Sequence, residues 1–321
     1  MALPDSSRGR SRLLQRWIGR LAPRGLRASG TAEIAAALRA IEARLARLEE
    51  AVEGSRGTYL GDGIVLAKTV IHGAQFAFLL EAEDRLLTPW LLTSGHYEDE
   101  LTDHFVRTRR PDDRCLDVGA NFGYFTCLFA RFCPRGMVLG VEPDARVFSI
   151  ARDNILANGL AGVASLRQAA VCEAERELTL NRRMGRSGNT SIAPVPLSLT
   201  EWHGEKPAQP FQVMGTTVDR LAEAFGGRLD VMKVDVEGAE PLVLAGASRT
   251  VSVNPGLQIV MEWSPGQMVS AGFDIGGFLD DIDAMGLRCH GLGPGRPSYD
   301  RDAMLNLSFA NGILLTREPR A

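Results

Sequence analysis

Two hydrophobic periods divide the chain. Between Thr31 and Glu53, Ile34, Leu38, Ile41, Leu45, Leu48 and Val52 recur in alternating steps of four and three. Alanines, arginines and glutamates fill the other faces. This heptad seam predicts a coiled-coil helix over 31–54, ended by Gly54 and Gly57. The narrow seam and charged flanks favour self-association over the competing arrangement, a helix packed on its own globular domain. From Pro111 onward the period changes. Apolar runs of strand length at 114–118, 137–141, 164–169, 229–234 and 257–262 alternate with helical patterns near 122–132, 144–158, 217–225 and 240–247. That alternation predicts an α/β fold on a mostly parallel sheet.

The stretches around these elements are less regular. Residues 64–70 and 76–80 read as a small antiparallel unit. Residues 84–93 and 96–107 read as helices that pack on the edge of the next domain and can cover its ligand mouth. Thr216 and Asp219 resemble a capping box for the helix that follows. The 172–215 segment carries Pro194, Pro196, Pro207 and Pro210, and reads as short strands such as 176–180 plus a variable loop. A helix over 275–285 precedes a closing antiparallel pair, 287–290 and 305–315, separated by the glycine- and proline-rich 291–298. The resulting partition is a tail (1–30), the heptad helix (31–54), an N-terminal extension or lid (55–110) and the α/β domain (111–321).

Composition adds limits. A hydrophobic content of 45% and a charged content of 23% are ordinary for a soluble globular protein, and a net charge of −3 gives no global reason to expect nucleic acid. The first 30 residues differ: Arg8, Arg10, Arg12, Arg16, Arg20, Arg24 and Arg27 stand against Asp5 alone. They read as a disordered basic tail, or, through the amphipathic patch 13–21, as a helix on an acidic partner or membrane surface. Cys115, Cys127, Cys133, Cys172 and Cys289 have no metal-type pairing, and Cys115, Cys127 and Cys133, in or beside predicted core elements, read as small buried hydrophobes of a reducing compartment. With no run near ~18 apolar residues and no secretory pattern, the expected location is cytoplasmic, with peripheral membrane contact open to the tail.

The candidate chemistry centres on Asp117-Val118-Gly119-Ala120-Asn121-Phe122-Gly123. A strand runs into Asp117, Gly119 allows a tight turn, and Gly123 allows the next helix to pack closely. The amides at that helix N-terminus would face a polar ligand. Glu142 follows about 20 residues later, the spacing of a carboxylate that reaches a ribose diol. The turn lacks the second glycine of a dinucleotide loop, and Asp117 suits a ligand with a positive amine. S-adenosylmethionine has that amine, a ribose diol and a sulfonium. Other acids fall at predicted strand ends: Asp235, Glu237 and Glu262. Lys233, inside an apolar run, needs a partner such as Asp235 or Glu262 if it is buried.

Asp-Val-Gly-Ala-Asn-x-Gly at 117–123, Val-Glu-Pro at 141–143, Thr-Val-Asp-Arg-Leu at 217–221 and Lys-Val-Asp-Val-Glu-Gly-Ala-Glu at 233–240 together resemble the FkbM-type methyltransferases. The resemblance runs from roughly 95 to 315 and leaves out the tail and the heptad helix. It implies a class I, Rossmann-like, S-adenosylmethionine-dependent fold with an antiparallel closing strand. It also implies O-methylation of a glycan or secondary-metabolite hydroxyl. On its terms Asp117, Gly119 and Asn121 would hold the methionine end, with Gly123 packing close and Glu142 on the ribose. Ala170 and Val171 would border the adenine, and Tyr97-Glu98 would close over the cofactor. Asp235 and Glu237 would stand near the transferring methyl.

For the proton of an acceptor hydroxyl the candidates are Asp235 first, then Glu237, Glu262, His96 and His104. His72, His203 and His290 read as surface or packing residues, and no metal is expected. The 172–215 segment and the 291–304 loop are expected to shape the acceptor pocket. Two rival functions remain at this level: a non-catalytic oligomeric scaffold with a vestigial cofactor fold, and a nicotinamide oxidoreductase, against which the missing glycine counts.

Overall fold

The structure is a computed structural model and describes residues 28–54, 56–195, 200, 202, 204–293 and 295–317. The basic patch 13–21 and His203 lie outside the described residues. The chain divides into two compact units, 1–50 and 51–321.

The described part of the first unit is a helix, α1, Ala28–Gly54, whose last turn runs into the second. It covers the predicted heptad segment, and Ile34, Leu38, Ile41 and Leu45 along the seam are exposed. Among the described residues no helix is long and apolar enough to cross a membrane.

The second unit is built on an eight-stranded sheet. Its parallel strands are β4 (Arg114–Val118), β5 (Met137–Val141), β6 (Ala164–Arg167), β10 (Val231–Val234) and β11 (Gln258–Trp263). β14 (Ala310–Thr316) runs antiparallel beside β11, followed by β12 (Arg288–His290) and β13 (Ser298–Tyr299). Across the sheet the order is β13-β12-β14-β11-β10-β4-β5-β6. Connections from β4 and β10 lead to opposite sides, so the order reverses between them, and a crevice opens above their carboxyl ends.

Strand alternation decides which side chains meet there. Leu116 and Val118 of β4 and Met232 and Val234 of β10 enter the core on one face, with Trp263 and Phe278. Cys115 and Val231 enter the other, with Phe105, Phe125 and Phe129. Asp117 and Lys233, in register on the adjacent strands, therefore share that second face.

The extension is part of this unit and not a separate layer. Strands β1 (Arg56–Gly61), β2 (Ile64–Ile71) and β3 (Ala74–Glu81) form an antiparallel sheet. Its β3 edge is closed by α5 (Ala145–Ala157). The Asn154 amide accepts from Leu79 N at 2.6 Å and donates to the carbonyls of Leu79 and Phe122. Asn158, one turn on, accepts from Ala77 N and donates to Ala77 O. Two side chains thus do for β3 what a further strand would do.

Several boundaries differ from expectation. The run 164–169 is strand only to Arg167 as β6 in the main sheet, and β7 (Ala170–Val171) beyond it joins β8 (Glu177–Arg182) and β9 (Gln209–Thr216) in a third sheet. The capping box is absent. Thr217 caps α6 (Val218–Leu221) by accepting from Arg220 N, and Asp219 instead accepts from Arg249 N and Thr250 N at the start of α8 (Ser248–Val253). Part of the 305–315 strand is helix, because Asp300 caps α11 (Arg301–Asn306) by accepting from Ala303 N and Met304 buries its side chain. In the extension, α2 covers Leu87–Thr93 and α3 starts at Asp99 and ends at Thr108.

Candidate active site

The loop from β4 to α4 (Tyr124–Phe132) is built before any ligand is considered. Gly119 has φ +77°, and a Cβ there would lie 1.8 Å from Asp235 O, so the turn fits against the end of β10 only as glycine. Gly123, at φ +79°, lets α4 pack on α5, where a Cβ would meet Ala151 at 3.3 Å. Asn121 takes the left-handed conformation, which its short polar side chain tolerates. Four of the loop amides are used within the protein. Those of Gly119 and Ala120 donate to Val141 O, that of Asn121 to Glu142 Oε2, and that of Gly123 to Ala120 O. They bind β4 to β5 and fix the loop from within.

Glu142, at the end of β5, gains most from this. Its two oxygens accept from the backbone amides of Asn121 and Asp144, both at 2.9 Å. The carboxylate is 5% exposed, and burial pushes its pKa up to about 8 against those two donors. It is held in one orientation on the wall of the cleft.

Four further acids line the same cleft: Glu98, Asp235, Glu237 and Glu262. Lys233 donates to Asp235 Oδ2 at 3.1 Å, stands 3.9 Å from Asp117 Oδ1, and lies over the Phe125 ring. Burial opposes its charge, but Asp235, Asp117 and Glu98 outweigh burial and hold the ammonium above its ordinary value. Asp117 is the more distant partner, so burial dominates there and raises its carboxyl. Burial, followed by repulsion from Asp235, raises Glu98 to about 7, Glu237 to about 8 and Glu262 to about 10. Glu237 sits at φ +56° and is gripped by two amides, Asn189 Nδ2 on Oε1 at 2.9 Å and Gln267 Nε2 on Oε2.

The other wall is apolar, with Ala170 and Val171 of β7, Leu178 and Leu180 of β8, and Ile192 and Leu242 beyond them. Leu86, Leu87, Tyr97 and Glu98 of the extension complete the lining with Ser187, Gly188 and Thr190 of the long crossover. These two segments are tied together, since Asp84 Oδ1 accepts from Ser187 N and Oγ and Arg85 N donates to Gly185 O.

Gly119, Asn121, Glu142, Ala170, Val171, Asp235, Glu237, Glu262 and Glu98 therefore converge on one cleft. Asp117 does not line it. It is fully buried, accepts from Thr126 Oγ1 at 2.6 Å and supports Lys233. Gly123 lies behind it, as a packing residue. His96 is in the turn before α3 and outside the lining, as is His104, which is buried beside Phe105 with its pKa lowered to about 4 by burial and then by Arg109 and Arg296. The described residues of the 291–304 loop are outside the lining, and Leu292 packs against the aromatic core. His72 pairs with Asp103 on the surface, and His290 is buried. Asn189 and Gln267, which orient Glu237, were missed. Asn189 lies in a segment without periodicity, and Gln267 in the short helix α9 (Pro265–Ser270).

The methyltransferase FkbM domain matches residues 117–285, more than half of the chain. Methyltransferase 1 of Beauveria bassiana is 32% identical over 42% of this chain and 59% of its own length. Methyltransferase sdnD of Sordaria araneosa is 26% identical over 47% of this chain and 67% of its own length. The first alignment thus spans less than two thirds of that relative. Among solved structures, methyltransferase FkbM of Methylobacillus flagellatus is 13% identical over 65% of this chain and 45% of that one, with a TM-score of 0.36. The matched segment opens on the Asp117 loop and carries Glu142, Asp235, Glu237 and Glu262, and the chain belongs to the FkbM family of methyltransferases.

Proposed function

We propose that the chain binds S-adenosylmethionine in this cleft and transfers its methyl group to a hydroxyl of a glycan or secondary metabolite. One observation carries the reading: a cleft at the switch point is lined by five carboxylates and, among its described lining residues, by Lys233 as the sole cation. The fit is specific to a cationic nucleoside. Glu98 Oε2, Glu262 Oε2 and Asn121 Oδ1 are buried acceptors without a hydrogen-bond partner, and an amine or hydroxyl would satisfy them. A diphosphate would meet carboxylates in place of amides.

When bound, the cofactor supplies a methyl activated on a sulfonium. The residues do the rest by position and charge. Glu142, fixed by two amides, accepts from the ribose hydroxyls. Ala170 and Val171 flank the adenine. Asp235, hydrogen-bonded to Lys233, and Glu98 face the positive end. For the acceptor proton Glu237 replaces Asp235 as first candidate. Asp235 Oδ2 is already occupied by the Lys233 ammonium at 3.1 Å, whereas Glu237, raised to about 8 chiefly by burial, has an orientation set by Asn189 and Gln267. Glu262 is the second candidate.

The test is transfer of labelled methyl from S-adenosylmethionine to a panel of sugars, oligosaccharides and hydroxylated metabolites. Glu237→Gln should lower kcat by about 100-fold, within the range for loss of a general base, with cofactor affinity little changed. An unlabelled panel combined with no saturable cofactor binding would favour the scaffold reading.

A further inference from the structure

Helix α1 exposes an apolar edge: Ile34, Leu38, Ile41 and Leu45 are 53, 38, 54 and 52% exposed. On the heptad, Leu38 and Leu45 take position a, and Ile34 and Ile41 take position d. We propose that this edge joins copies of the chain into a parallel coiled coil of higher order than a dimer, a trimer or tetramer.

Three observations select that occupant. First, the seam is only two residues wide per heptad. A helix that covers its own core or lies on lipid shows a broader apolar face, and the mixture of Glu42 with Arg39, Arg44 and Arg47 is not the basic face that anionic lipid selects. Second, leucine at a with isoleucine at d disfavours two-stranded packing and favours trimers or tetramers. Ala35 at e and Ala37 at g leave room beside the seam for the extra helices. Third, Arg44 stands at g and Glu49, five residues on, at e of the next heptad, the positions that face each other between parallel neighbours. Parallel neighbours bring an e flank against a g flank and so unlike charges together, while antiparallel neighbours bring like flanks together.

The test is the mass of the full chain by light scattering, compared with the 34.8 kDa of one copy. The expected result is a trimer or tetramer mass, falling to that of one copy in Ile41→Glu, with the thermal transition of the second unit unchanged. Arg39→Glu, at position b, should keep the wild-type mass. The four-fold exchange Ile34→Leu, Leu38→Ile, Ile41→Leu, Leu45→Ile should give a dimer. Arg44→Glu should shift dissociation to higher concentration, and adding Glu49→Arg should reverse the shift. A monomeric wild type, or an oligomer that survives Ile41→Glu, would overturn the proposal. An exchange variant of unchanged mass would overturn the packing assignment, and indifference to Arg44→Glu the parallel orientation.

Discussion

At the scale of residues, the cleft is governed by carboxylates that burial and mutual repulsion keep partly protonated. Glu98 and Glu237 are raised from 4.5 to about 7 and about 8. A carboxyl raised in the folded state favours folding less as it ionises, so the ligand-free protein should lose stability as pH rises from about 4.5 through 8. A cation in the cleft favours the ionised forms. S-adenosylmethionine should therefore bind more tightly at pH 8 than at pH 6 and release protons, measurable as a buffer-dependent heat; S-adenosylhomocysteine, without the sulfonium, should show a weaker dependence. Gly119→Ala should cost about 3 kcal/mol or more in urea unfolding, because left-handed strain adds to a collision with Asp235 O. Gly123→Ala, which meets only Ala151, should cost about 1 kcal/mol. Gly119, Glu142, Asp235 and Glu237 were legible in the sequence because they sit at fixed offsets from strand ends. Asp117 was misplaced for a related reason: its strand position shows that it is near the turn, but only the register with Lys233 shows which face it enters.

At the scale of elements, the parallel strands were legible because each is a short apolar run bounded by polar turns. β9 was not. Pro207 and Pro210 interrupt its pattern, and the strand tolerates Pro210 in an outlying three-stranded sheet, paired with Asn181 of β8. How the β1–β3 sheet joins the α/β domain was not legible: Phe76, Phe78 and Leu80 share an apolar core with Tyr124, Phe125 and Phe129, while Asn154 and Asn158, polar residues that patterning assigns to solvent, close the β3 edge. Asn154 is fully buried and serves three backbone groups. Asn154→Ala should cost about 3 kcal/mol. It should also raise hydrogen exchange at Leu79 before it affects β4 or β10.

At the scale of the whole molecule, residues 51–321 hold the sheet, the extension and every lining residue of the cleft. A chain that lacks residues 1–50 should keep its thermal transition to within about 2 °C, a shift below the effect of 1 kcal/mol, and should keep its cofactor affinity. The heptad seam showed in the sequence because its spacing is local. What it joins depends on other copies, which spacing alone does not specify.

Calorimetric titration at pH 7.5 decides whether the acid-lined cleft holds S-adenosylmethionine. Saturable binding of one cofactor per chain is expected, with a Kd of roughly 1–100 μM, weakened by about tenfold in Asp235→Asn through loss of one facing charge. Absence of saturable heat from folded wild-type protein, or equal affinity in Asp235→Asn, would contradict it.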